Sequence, residues 1–202
     1  MVGVGLVLLP FGPALARDTS TPDWPCVQRK IATLTSTQVW DGPAVEGITK
    51  WNDVPEVSGL VRTLANRRTP MGEVEAALSE FAHSQPDADR AERLTLVFAG
   101  VFETLHSQRK AVMEGLEKYL KAQRERAAEL ERLGVEIAGL KVRAASDDKA
   151  ASDLQEARTR FDWAQRIFQE RQNSIPFACE VPVRIDQRIF TLGKSIAALL
   201  KS

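Results

Sequence analysis

Residues 98–143 read FAGVFETLHSQRKAVMEGLEKYLKAQRERAAELERLGVEIAGLKVR and contain the longest regular pattern of the chain. Apolar side chains recur there at alternating steps of four and three residues, which is the repeat of a coiled coil. They are Phe98, Phe102, Leu105, Val112, Leu116, Tyr119, Leu130, Leu133, Ile137 and Leu140, with Arg109, Gln123 and Arg126 as polar interruptions. The pattern predicts one helix from about residue 87 to residue 143, about 85 Å long at 1.5 Å per residue.

A second helix that could cover this stripe follows at once. Ser146-Asp147-Asp148 supplies an N-cap and two acids in the first turn, where the helix dipole favours negative charge. Apolar residues continue at heptad spacing up to Pro176, where we expect the helix to end, and they are Leu154, Ala157, Phe161, Ala164, Phe168 and Ile175. The short link predicts an antiparallel hairpin whose second helix reaches about halfway back along the first. We expect Trp163 to pack within it.

The remaining half of the first helix needs other partners. Residues 53–56 have the spacing of a capping box, with Asp53 as the N-cap, and a helix follows them. Another helix is predicted to begin at Pro70, and a last one to run from Pro182 to about Leu200. We therefore predict an all-α fold, in which a long antiparallel coiled-coil hairpin stands on a small helical base.

The chain divides into five predicted segments. They are a signal peptide at 1–16, an irregular Trp-rich segment at 17–52, short helices at 53–85, the hairpin at 86–175, and a C-terminal helix at 176–202. The first has an apolar run and then Ala14-Leu15-Ala16, the small-x-small form that signal peptidases cut, although no positive charge precedes the run. It is shorter than the roughly 20 residues that span a bilayer, and no later stretch is apolar enough to do so. We expect an exported chain, periplasmic or secreted.

The two cysteines, Cys26 and Cys179, fit this compartment. An even number of cysteines in an exported chain predicts a disulfide, because oxidising compartments form and keep such bonds. The alternative is a pair of buried free thiols. A disulfide would tie the irregular N-terminal segment to the start of the C-terminal helix.

Composition excludes some function classes. The chain has 27 basic and 27 acidic side chains, so its formal net charge is zero and no long-range attraction to nucleic acid is expected. Apolar residues make up 44% and aromatic residues 6%, which suits helix-on-helix packing. Residues 118–132 form a mixed-sign charged run, which is either a partner surface or a solvated helix face.

Both histidines occur in Glu-x-x-His, as Glu80 with His83 and Glu103 with His106. This pair is the repeating unit of di-iron carboxylate bundles. At 100° per residue, however, all four side chains lie well away from the apolar stripes of their helices, whereas ligands of an internal site must point inward. We expect a surface position for them, and we predict no metal, no cofactor and no catalytic residue.

Trp24, Trp40 and Trp51 all fall in the irregular segment. They could form a stacking platform for a glycan or a contact for a protein, or they could pin the segment onto the base. Our leading hypothesis is a non-enzymatic periplasmic interaction protein that contacts another envelope protein through its hairpin and base. The alternatives are a small-molecule or glycan binder that uses these tryptophans, and a metal-dependent bundle enzyme. The sequence also admits a homo-oligomer, since a second copy could cover an exposed stripe.

Overall fold

The computed structural model describes Trp24 and residues 26–201, so the predicted signal peptide at 1–16 lies outside the described residues. That part of the chain contains helices and no strand, which confirms the all-α prediction. Its α-helices are α1 (Pro55–Ala65), α2 (Met71–Ser84), α3 (Asp87–Arg143) and α4 (Asp148–Leu199), and short 3-10 helices cover Ser36–Gln38 and Lys50–Asp53. Among these described helices, none combines the length and the apolar content needed to cross a bilayer.

The hairpin is formed by α3 and α4, which have 57 and 52 residues. Both ends of α3 fall where the sequence predicts them. The carboxylate of Asp147 caps α4 by accepting hydrogen bonds from the backbone amides of Lys149 at 2.9 Å and Ala150 at 3.3 Å. These bonds satisfy two of the amide donors that a helix N-terminus leaves free. The predicted hairpin is therefore confirmed.

The predicted end of the second helix is wrong, because α4 continues through both Pro176 and Pro182. Proline inside a helix removes one hydrogen bond and costs roughly 3 kcal/mol. Apolar side chains beyond the prolines offset this cost by packing against α3 and the base; those that are buried are Cys179, Ile185, Ile189, Leu192, Ile196 and Ala197. Burying one such aliphatic side chain stabilises by about 1.5–3 kcal/mol. As a result α4 covers α3 along nearly its full length, and not along half of it.

The base forms where α1, α2 and the irregular segment pack on the first half of α3 and the last third of α4. Its largest fully buried side chains come from all four helices, and they are Val57, Val61, Leu64, Val74, Leu78, Leu94, Phe98, Leu105, Ile185, Ile189, Leu192 and Ile196. The capping-box prediction is wrong. Asp53 belongs to the preceding 3-10 helix, and the N-cap of α1 is Val54, which makes no side-chain cap bond.

Arg188 joins the short helices to α4. Its Nε donates to the carbonyl oxygen of Leu64 at 2.8 Å, and its Nη1 donates to that of Thr69 at 3.1 Å. These acceptors lie at the C-terminal end of α1 and in the link to α2, where carbonyl groups lack helical partners. Burial lowers the pKa of the Arg188 guanidinium below its ordinary value.

Gly193 lets the irregular segment approach α4 closely. A Cβ at this position would lie 2.2 Å from the carbonyl oxygen of Val39, which is far inside van der Waals contact. The backbone around Val39 therefore lies directly on the helix. This contact explains a glycine in the interior of α4, where alanine would favour the helix by about 1 kcal/mol.

Candidate interaction surfaces

The predicted disulfide between Cys26 and Cys179 is present. It joins the irregular segment to α4 at a point between the two prolines. Cys179 is buried, and Leu116 and Leu120 of α3 pack beside it together with Trp24. The bond therefore holds the N-terminal segment against both helices of the hairpin, where the base ends.

A buried arginine adds a second anchor for the same segment. Arg109 is charged but only 3% exposed, because it occupies a core position of the α3 stripe. Its Nε donates to the Asp186 carboxylate at 2.6 Å, and its Nη2 donates to the carbonyl oxygen of Ile31 at 2.7 Å. One guanidinium thus connects α3, α4 and the irregular segment. The polar interruption noted in the sequence has a structural role.

The three tryptophans of the irregular segment pack on α3. Trp40 is buried and stacks on Phe98, with ring centroids 4.0 Å apart. The indole nitrogen of Trp51 donates to the Glu103 carboxylate at 2.7 Å. Trp24 is half-buried beside the disulfide. This placement corresponds to the pinning alternative.

The structure does not bring these tryptophans into one platform. Trp40 lies against Phe98, and Trp24 lies near Leu116, which is 18 residues further along α3 and therefore about 27 Å away. The stacked face of Trp40 is already occupied. Recognition of a glycan or a partner by these residues stays a prediction.

The first Glu-x-x-His pair lies at the end of α2. Glu80 and His83 are both exposed, and the His83 Nδ1 lies 2.7 Å from the carbonyl oxygen of Ser79. This contact is local to the last turns of the helix.

The second pair has different neighbours. Glu103 is exposed and accepts the hydrogen bond from Trp51, while the His106 ring stacks on Phe102 with centroids 5.5 Å apart. No group of three or more metal-ligating side chains of the His, Cys, Asp or Glu type occurs in the described part of the chain. The two pairs are not assembled into one site.

The distal hairpin is the part of α3 and α4 beyond Leu120. The described side chains buried there come from these two helices alone, and they are Gln123, Leu133, Leu140, Ala150 and Ala157. From Leu120 to Arg143 it extends about 35 Å. Between the helices, Arg160 pairs with Glu136 at 2.7 Å. Many charged residues of the predicted 118–132 run are exposed on it, and Arg132 pairs with Glu129.

The tip surface lies near the hairpin turn and consists of Val135, Ala138, Val142 and Ala145. All four are exposed, and the exposed fractions of Val135 and Val142 are 70% and 79%. Val135 points about 160° away from the buried Leu133, so it faces away from α4. These residues repeat at three-four spacing. The first three form a second apolar stripe on the outside of α3, and Ala145 lies in the turn that follows it.

The outer stripe lies on α4 and begins with Trp163, Ile167 and Phe177. Their exposed fractions are 60%, 38% and 71%, so the prediction that Trp163 packs within the hairpin is wrong. The Arg166 guanidinium lies over the Trp163 ring, 5.5 Å from its centroid. Trp163 points about 120° away from the buried Ala157. A count of heptad positions on the outer face of this helix would have revealed the stripe.

A cleft of about 720 Å³ opens between the irregular segment and the first turns of α3. Its lining is mostly apolar and includes Pro43, Gly47, Ile48, Thr49, Lys50, Asp53, Val54, Ala91, Glu92, Thr95 and Leu96. None of the three tryptophans lines it. Its walls come from segments distant in sequence, so sequence patterns do not reveal it.

Comparison with known proteins found no matching family model, no similar curated protein and no similar solved structure.

Proposed function

We propose that this chain is an exported, non-enzymatic interaction protein of the bacterial envelope, periplasmic in location, which contacts another envelope protein through its distal hairpin. The tip surface is the observation that carries the proposal. It places Val135 and Val142 in solvent at the end of a projecting arm.

The chemistry of the tip surface supports a helical partner. A stripe at three-four spacing is the form in which one helix presents itself to another. Ala138 and Ala145 are small, so a partner backbone can approach closely beside the two valines. Clustered exposed apolar side chains at such a position are typical of protein contacts.

The proposed compartment is supported by the disulfide and by the features of residues 1–16. Disulfides persist in oxidising compartments and are rare in the reducing cytosol. Mass spectrometry of the protein recovered from a cell envelope fraction tests the location. We expect a mature chain that begins at Arg17. Recovery from the cytosol, with the two thiols reduced, would contradict the export step.

Cross-linking mass spectrometry in intact cells tests the contact. Lys141 and Lys149 flank the turn, and we expect reproducible cross-links from both to one envelope protein. The double variant Val135→Asp/Val142→Asp should lose these cross-links while it keeps its helicity. The matched control is Val27→Asp, which changes an exposed valine of the N-terminal segment and should keep them. If the tip variant retains the cross-links, the tip surface is not the contact.

One observation favours the alternative of a small-molecule binder, namely the cleft. Its volume of about 720 Å³ lies within the roughly 300–1,000 Å³ of ligand sites. A ligand screen by thermal shift tests this function. A compound that raises the melting temperature of the wild type and of the distant Val142→Arg variant, but not that of Leu96→Arg, would support it. Without such a compound, the cleft has no ligand role.

A further inference from the structure

The outer stripe of α4 has the spacing of a second heptad seam. Counting from Trp163 in steps of four and three gives positions 163, 167, 170, 174, 177 and 181. Apolar side chains occupy four of these six positions, namely Trp163, Ile167, Phe177 and Val181, and Glu170 and Ser174 occupy the centre. The six positions span about 27 Å of helix. A helix that packs into such a seam buries Trp163, Ile167 and Phe177, which α4 now leaves in water, and reaches the edge of Val181, which is already partly buried on the base.

We propose that a second copy of this chain occupies the outer stripe, with its α4 antiparallel to the first and a two-fold axis midway between Glu170 and Ser174. In antiparallel heptad packing, each core position meets the complementary position of the other helix. Trp163 then meets the partner's Val181, and Ile167 meets the partner's Phe177. Each of these outer layers pairs an aromatic ring with an aliphatic side chain. In the central layers Glu170 meets the partner's Ser174. In the isolated chain the Ser174 hydroxyl donates to the carbonyl oxygen of Arg171 at 2.8 Å and contacts the Tyr119 hydroxyl, so it must turn outward to reach the carboxylate.

Charge complementarity selects this arrangement. Arg166 and Glu180 flank the stripe on the same side. The antiparallel register brings Arg166 opposite the partner's Glu180, and the two-fold axis generates two such pairs. In the isolated chain Glu180 pairs with Arg184 at the surface, and such exposed pairs exchange at little cost. Arg171 meets the partner's Arg171 near the axis, where the two Glu170 carboxylates balance the charge.

A parallel pair of α4 helices is disfavoured by the same residues. It would place Glu170 against the partner's Glu170 at a core position, and Arg166 beside the partner's Arg171. Like charges in these places destabilise a coiled coil. The antiparallel dimer also uses a different face from the tip surface, so it is compatible with a partner bound there.

The interface is small, since one helix from each copy supplies it. Interfaces below about 1,200 Å² belong to weak or transient complexes. We therefore expect a reversible dimer, detected by sedimentation velocity of the full disulfide-bonded chain over a range of concentrations. The variant Phe177→Glu should weaken dimerisation at least about tenfold. The matched control is Phe190→Glu, which changes an exposed phenylalanine off the stripe and should dimerise as the wild type does.

A charge exchange tests the register. Arg166→Glu and Glu180→Arg should each weaken the dimer, and the double variant should restore it. A dimer indifferent to Phe177→Glu, or a double variant no better than the single ones, overturns the proposal. A wild type that stays monomeric also overturns it. Hydroxyl-radical footprinting of Trp163 then shows whether another part of the same chain covers the stripe or the face is free for a different protein.

Discussion

Loss of the Cys26–Cys179 bond should destabilise the base strongly while leaving the hairpin helical. The bond joins residues 153 positions apart, and in the chain-entropy model the closure of so long a loop stabilises by about 5 kcal/mol. For a chain of this size, about 1 kcal/mol changes the melting temperature by roughly 2–4 °C, so we expect a fall of about 10–20 °C. Residues 26–34 should loosen most, because the bond holds their N-terminal end. Their other contacts include the hydrogen bond from Arg109 to Ile31, the ion pair between Lys30 and Glu117, and the partly buried side chain of Leu34 on the base.

Circular dichroism melts of the wild type and of Cys26→Ala/Cys179→Ala, each with and without reductant, measure this effect. The far-ultraviolet signal at room temperature should change little, because α3 and α4 pack on each other independently of the bond. Hydrogen exchange should rise first in the N-terminal segment. Reductant should leave the double variant unchanged, which serves as the control. A fall of less than about 4 °C in the wild type, worth about 1 kcal/mol, would refute the reasoning.

Two further substitutions test the packing of the base. Gly193→Ala should lower the free energy of unfolding by about 1–3 kcal/mol in urea denaturation, because its Cβ would lie 2.2 Å from the carbonyl oxygen of Val39. Gly115→Ala, where nothing lies within 4 Å, should raise it by up to about 1 kcal/mol; equal effects of the two would contradict the close approach. Arg109→Met should lower it by about 2–3 kcal/mol, since Asp186 loses its partner but keeps some contact with solvent. Adding Asp186→Asn should recover part of this loss, and no recovery would mean that the unpaired Asp186 carboxylate costs no stability.

Local patterns predict local structure well in this chain. The heptad stripe and the stretch Ser146-Asp147-Asp148 are enough to place α3, the turn and the start of α4. The same rules failed at Pro176 and Pro182, because the cost of a proline is local whereas its compensation comes from α3 and the base. The sequence indicates that α4 has apolar residues on both sides of the prolines. It does not indicate that α3 and the base form one continuous surface on which both sets pack.

Candidate surfaces were harder to predict than elements. The partner of Arg109 is Asp186, which is 77 residues away, so the sequence shows only an interruption of the stripe. The sequence predicts an interior position for Trp163 because this residue lies inside the second helix, next to Ala164. The exposure of Trp163 depends on which side of α4 faces α3. That orientation is set by all the apolar residues of α4 that pack on α3.

The disulfide also changes the covalent topology of the chain. Residues 26–179 form a closed ring that contains α1, α2, α3 and most of α4. The turn at residues 144–147 lies inside this ring, at the exposed end where proteases cut most readily. One cut there leaves the two fragments covalently joined, with the base intact. A break at the far end of the arm thus opens the ring without dividing the molecule.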